Sequence, residues 1–444
     1  MAVAASTSRA SLILYFSVPA RRLRVMYTGG VIVIIWEMSE FMEQTMPMEQ
    51  KWFILSKVFQ SIPLYFAHWE AALFRKEQLD EQYRELLAAC IAADDEKSFT
   101  LLMMQFMAKL NNGHTGFFPN LKQRGEPLGL HATPVRDAWL VTRSMLDGVV
   151  CGDRVCLVDG RSPDNWYEEL QAYIPVGNPE SKRRQLFHML ALVLNRTYTL
   201  SIEDRSGRRI ERRVEREQLG EAGGSSEGTT GKWIEEGQIA YIRIPSFGST
   251  DYEGKALELL SSYEGAQALI VDVRGNGGGS TPSKLIHRLM DRPYRWYAEM
   301  TPLHIGIHTL QAVKGWNNQY YDSSVLMHRP YQQPDESAYT GRLVLLADRG
   351  TGSAAEDFVM PFKDTGRATI VGQATFGSTG QPFYYEFTNG MSFRISTKRA
   401  FLPDGSPFEG VGIAPDIELL PTRDDLYDDR DPVLEKALEL CKLN

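Results

Sequence analysis

The stretch from Arg342 to Phe362 constrains the fold of this chain most tightly. An apolar run, Arg342 to Ala347, leads into Gly350-Thr-Gly-Ser-Ala-Ala-Glu356, and a helical pattern continues from Ala354 to Phe362. A strand that turns sharply onto a helix leaves Ser353 at the helix N-terminus, where free backbone N–H groups and the helix dipole favour developing negative charge. Ser353 is therefore read either as a nucleophile or as a simple N-cap.

Three further segments bear on that choice. Ala268-Leu-Ile-Val-Asp-Val-Arg274 reads as a buried strand and runs into Gly275-Asn-Gly-Gly-Gly279. Glycines there permit positive φ and close backbone approach, so the N–H of Gly277 or Gly278 is a candidate for one half of an oxyanion hole, with Ala354 N–H as the other. A phosphate loop competes for the same pattern. No Gly-Lys-Ser/Thr follows Gly279, however, and Lys284 is not placed to reach a phosphate. Asn111-Asn-Gly-His114 closes a helical pattern in which Phe99, Met103, Phe106 and Leu110 recur. His114 is open to two readings, a base turned toward a cleft or a surface cap. In Pro403-Asp-Gly-Ser-Pro-Phe-Glu409-Gly-Val-Gly-Ile-Ala-Pro-Asp416, finally, a carboxylate sits in a glycine-rich loop.

In their order and spacing these segments, with Gly237 to Phe247 and Val371-Gly-Gln-Ala-Thr-Phe-Gly377, resemble the tail-specific, or carboxy-terminal-processing, serine proteases and their tricorn-core relatives. The resemblance covers most of residues 100 to 420. It implies a serine peptidase of one of two catalytic types. In the processing proteases a Ser–Lys dyad operates, with the lysine directly after Phe-Gly; here that position is Ser378, and neither Lys363 nor Lys398 falls there. In the tricorn-like type an N-terminal histidine is the base and a late glutamate orients it, which implies a Ser353–His114–Glu409 triad with oxyanion donors from Ala354, Gly277 and Gly278. A serine hydroxyl needs such a base near neutral pH, and a carboxylate on the other ring nitrogen fixes the tautomer. Asp404 and Asp416 are rival orienters, the latter read as bracing its loop.

Length and composition add exclusions. A chain of 444 residues holds two to four domains. The formal charge of −8 argues against a nucleic-acid binder and points to a peptide or unfolded-protein substrate. Cys90, Cys151, Cys156 and Cys441 lack paired metal spacing and read as buried free thiols; no metal or other cofactor is expected. The apolar runs Ser11 to Ala20 and Val31 to Trp36 are too short to span a bilayer. A signal segment, an anchor and a later start at Met38, Met42, Met46 or Met48 all stay open, and so does location in the cell envelope, outside the cell or in the cytoplasm. Membrane association and homo-oligomerisation stay open with it.

The expected fold is α+β and multidomain. Residues 1–47 form the N-terminal segment, 48–119 a helical domain delivering His114, and 120–217 a PDZ-like β-rich domain. Its phrase Gly152-Asp-Arg-Val-Cys-Leu-Val-Asp-Gly160 carries that likeness, with Pro127-Leu-Gly-Leu130 as the nearest carboxylate-binding loop. Residues 218–232 read as a flexible linker, 233–422 as a catalytic α/β domain of the crotonase/ClpP-like ββα type, and 423–444 as an acidic, then helical tail. Between Asp291 and Thr340 an insertion rich in aromatics, including Trp316, Tyr320 and Tyr321, is read as a cleft wall, a lid or a dimer surface. Two other functions stay open: a silent peptide-binding protein that keeps the fold, and a small-molecule esterase or amidase.

Overall fold

The computed structural model describes residues 46–120, 127–219, 228–301 and 328–442, together with short N-terminal strands between Thr7 and Glu37. The glycine-rich core of the expected linker, residues 220–227, and the aromatic positions Trp316, Tyr320 and Tyr321 lie outside them. Near the N-terminus both apolar runs are strands: Ser11–Val18 pairs with Arg21–Thr28, which pairs with Val31–Glu37, all antiparallel. No helix among the described residues is long and apolar enough to cross a membrane.

A six-stranded sheet carries the C-terminal half. Its order is 230–235, 239–243, 268–272, 342–347, 369–372 and 417–418; the first pair is antiparallel and every later neighbour parallel. Strands in such a sheet are covered on both faces, which is why Ala268–Asp272 and Leu343–Ala347 are almost uninterrupted apolar runs. Alternate residues go to opposite faces. Leu269, Val271, Leu343 and Leu345 join Phe358, Val359 and Phe362 of the helix Ala354–Thr365 in one core. Ala268, Ile270, Val344 and Leu346 join Val433 and Ala437 of the C-terminal helix Pro432–Lys442 in another. Both glycine-rich turns leave the carboxyl ends of adjacent parallel strands, where open α/β sheets place their ligands.

The N-terminal half combines three helices, Met48–Tyr65, Leu79–Ala92 and Glu96–Ala108, with an antiparallel sheet. That sheet runs 209–215, 197–203, 154–158, 138–144, 130–135, so Leu130–Val135 is an edge. Buried side chains of the helices, of this sheet and of the hairpin Phe383–Ile395 share one continuous apolar core. A second connection is covalently remote. Strand Gly116–Phe118, just after His114, pairs antiparallel with Ser392–Ile395. This pairing fastens the histidine turn to the C-terminal half.

Candidate active site

Ser353 is the first constraint on the site. It sits at φ 53° and ψ −124°, a backbone conformation that non-glycine residues rarely adopt and that a sharp strand-to-helix turn imposes. Glu356 holds the turn from within the helix. Its buried carboxylate accepts from Ser353 N at 3.1 Å, Thr375 Oγ1 at 2.5 Å, Gly377 N at 2.7 Å and Ser378 N at 3.1 Å. One side chain thus locks the serine turn against the Thr375–Ser378 loop. Glu356 closes the motif that flagged the serine, yet sequence reasoning gave it no role.

The two glycine-rich turns are stitched together as well. Gly352 N donates to Asn276 O at 2.9 Å, Thr351 Oγ1 to Val273 O at 2.9 Å, and Asp348 Oδ1 accepts from both Gly275 N and Gly350 N. Gly278 has φ 97°, and a Cβ there would lie 2.7 Å from Ser353 Cβ and 2.8 Å from Ala354 N. Only glycine allows that approach. Of the three expected oxyanion donors, Gly278 N–H is already taken by Asn276 Oδ1 at 2.9 Å. Gly277 and Ala354 have no backbone N–H partner among the described residues.

His114 reaches the serine from the other half of the chain. The helix Glu96–Ala108 ends in a turn in which Asn112 Oδ1 accepts from His114 N at 2.9 Å and Thr115 Oγ1 at 3.2 Å. Gly113 is forced by crowding, since a Cβ would stand 2.7 Å from Phe376 Cε1 and 2.9 Å from Ser378 Oγ. The ring is buried, with Nε2 3.0 Å from Ser353 Oγ. Its other nitrogen differs from expectation. Nδ1 meets Ser378 Oγ at 2.7 Å, and Ser378 Oγ in turn donates to Glu409 Oε1 at 2.5 Å. Asn112 Nδ2 also donates to that oxygen, at 2.7 Å. The glutamate therefore stands one hydroxyl away from the histidine, and the link is the residue that occupies the lysine position of the processing proteases.

The rival groups lie elsewhere. Asp416 accepts from Ile370 N at 2.8 Å and pairs with Lys363, and Asp404 accepts from Ser406 N in its own turn. Lys398 is buried against Glu299. Of the cysteines, all free, Cys90 is buried and the other three are half-buried, and no His/Cys/Asp/Glu cluster among the described residues could hold a metal.

Burial dominates the electrostatics. It holds His114 well below the ordinary imidazole range, with Arg394 adding to the effect, so the ring is neutral and its Nε2 can accept a proton. The same desolvation pushes Glu409 and Glu356 each up to about 8, against the hydrogen bonds that favour their charged forms.

With Nδ1–H donating to Ser378 and Ser378 to Glu409, Nε2 is left to accept from Ser353 Oγ–H. This is the arrangement an acyl-transfer nucleophile and its base require. Residues 238–419 match Peptidase family S41. The similarity to peptidase family S41 lies in this segment. The chain is 28% identical over 188 residues to the chloroplastic C-terminal processing peptidase of Tetradesmus obliquus, covering 41% of this chain and 36% of that protein. It is 28% identical over 179 residues to the carboxyl-terminal-processing protease of Synechocystis sp., covering 40% and 37%. The matched stretch of this chain thus spans a little over a third of these relatives' length. In three dimensions the chain shares the fold of mature CPAF, with a TM-score of 0.69 at 17% identity over 89% of this chain and 97% of that one.

Proposed function

We propose that this chain hydrolyses peptide bonds through an acyl-enzyme, with Ser353 as nucleophile, His114 as base, and Glu409 orienting His114 through Ser378. The hydrogen-bond chain from Ser353 Oγ to Glu409 carries this reading. Ser353 Oγ attacks the scissile carbonyl carbon and its proton passes to Nε2. The oxyanion is held by the N–H groups of Ala354 and Gly277. Collapse of the tetrahedral intermediate breaks the C–N bond, and the departing amine takes the proton from Nε2. Water, deprotonated at the same nitrogen, then hydrolyses the ester and returns Ser353. Negative charge at Glu409 stabilises the imidazolium in both halves, acting through Ser378.

The parallel sheet and its helices are read as the crotonase/ClpP-like scaffold, and the five-stranded sheet as the PDZ-like module. The latter reading is supported by an apolar groove of about 530 Å³ that includes Pro127 to Leu130, at the start of the edge strand, and Phe187 and Leu192 of the helix Leu186–Val193. An extended peptide could add to that edge. The proposed chemistry is tested with a fluorophosphonate probe. The folded wild type is expected to label, labelling to vanish at Ser353→Ala and to slow strongly at His114→Ala. A folded wild type that does not label overturns the activated serine.

A further inference from the structure

Although the chain carries a formal charge of −8, the cleft of about 790 Å³ in front of Ser353 is lined by four arginines and by no aspartate or glutamate. Two of the four have acidic neighbours outside the lining. Arg349 Nε donates to Glu180 at 2.8 Å, and Arg184 lies 3.7 Å from Asp348. Arg143 and Arg394 have no carboxylate partner among the described residues.

Arg394 stands beside the base. Its Nη2 donates to Gly113 O at 2.7 Å, its guanidinium lies 5.2 Å from the Phe118 ring centre, and its Nε is buried without a hydrogen-bond partner. Arg394 is half-buried and lines the cleft, and a guanidinium partly withdrawn from water is normally matched by a carboxylate or a full set of acceptors. One carbonyl and one aromatic face do not supply that match. Arg143, on the strand Ala138–Ser144, is exposed and lines both this cleft and the adjoining apolar groove. A substrate lying from the groove to Ser353 passes one unmatched cation and then the other.

We infer that the cleft selects peptides bearing an aspartate or glutamate side chain close to the scissile bond, its carboxylate received by Arg394 and Arg143. The inference rests on the peptidase reading for the bond that is cut. A cation beside His114 lies where the peptide passes through the cleft, so the carboxylate it meets belongs to a side chain. The local inversion of charge within an acidic protein would also steer acidic segments inward.

The test uses peptides with both ends blocked, differing only as Asp against Asn at each of the positions flanking the cleaved bond. Hydrolysis is measured with the wild type and binding by fluorescence anisotropy with Ser353→Ala. At one position or more, Asp is expected to exceed Asn by about tenfold in both assays, the scale of a charged hydrogen bond, and the ratio to shrink at high salt. Arg143→Glu, at an exposed site, is expected to shift the preference toward lysine, and Arg394→Gln to remove the Asp preference in the binding assay. Equal treatment of Asp and Asn in both assays overturns the inference. Fluorophosphonate labelling separates the two readings. A labelled enzyme indifferent to Asp loses only the acidic selectivity, whereas an unlabelled protein that binds Asp peptides better loses the peptidase reading and keeps the cationic site.

Discussion

His114 reaches Glu409 through a single hydroxyl, that of Ser378, 2.7 Å from Nδ1 and 2.5 Å from Oε1. A direct carboxylate–imidazole contact would place a negative charge on the ring nitrogen itself; here a neutral dipole transmits it. Ser378→Ala should leave the Nδ1–H without its buried acceptor and cut Glu409 off from the ring. We expect kcat to fall by about 10²–10³, less than the loss at Ser353→Ala, because the third member of such a triad contributes less than the nucleophile. Ser378→Thr, which keeps the hydroxyl, should recover part of it. Steady-state kinetics on one peptide decides, and an unchanged kcat at Ser378→Ala removes the relay.

The pH profile tests the same link from the other end. His114 is neutral through the neutral range, whereas Glu409 titrates at about 8, so the relay gains its negative charge only as Glu409 ionises. Activity should therefore rise with pH along a limb centred near about 8. Glu409→Gln should be slower and flat over that range. A wild-type limb that Glu409→Gln leaves in place assigns the titration to another group.

Stability should move the opposite way. Glu356 and Glu409, raised from the ordinary carboxylate range to about 8, hold more protons in the folded chain than in the unfolded one. Their contribution is fully present below the unfolded pKa and is lost as pH rises through about 8. Urea midpoints should accordingly fall between about pH 6 and about pH 9, less steeply in Glu409→Gln. A midpoint that rises across that window contradicts the buried, proton-holding carboxylates.

Much of this site was legible in the sequence because its pieces lie on local signals. Apolar runs ending in glycines located both turns, and a helix stopping at Asn111-Asn-Gly located His114. The bridging role of Ser378 left no such trace. A serine in a glycine-bearing loop has no distinguishing pattern, and the family comparison registered it only as a missing lysine. Asn112 was passed over for the same reason, although it shapes the histidine turn and holds Glu409. Nor could periodicity show that Gly116–Phe118 pairs with Ser392–Ile395, since strand partners remote in sequence are chosen by packing. The use of Gly278 N–H by Asn276 is likewise a matter of side-chain placement that a glycine count does not reveal.

Glu356 should prove a structural anchor whose loss is felt at the chemistry. Four donors converge on its carboxylate, three of them backbone N–H groups; Ser353 N also donates to Ser378 O at 3.1 Å, whereas those of Gly377 and Ser378 have no other acceptor among the described residues. Glu356→Ala should cost roughly 1–3 kcal/mol for each buried donor left unpaired, enough to unfold a marginal domain. Glu356→Gln keeps the volume but turns an amide NH₂ toward N–H groups, so it should fold with a lowered urea midpoint. Its Ser353 turn, no longer held in its rare conformation, should label slowly with fluorophosphonate. Wild-type labelling in a destabilised Glu356→Gln protein would mean that the turn keeps its shape without this carboxylate.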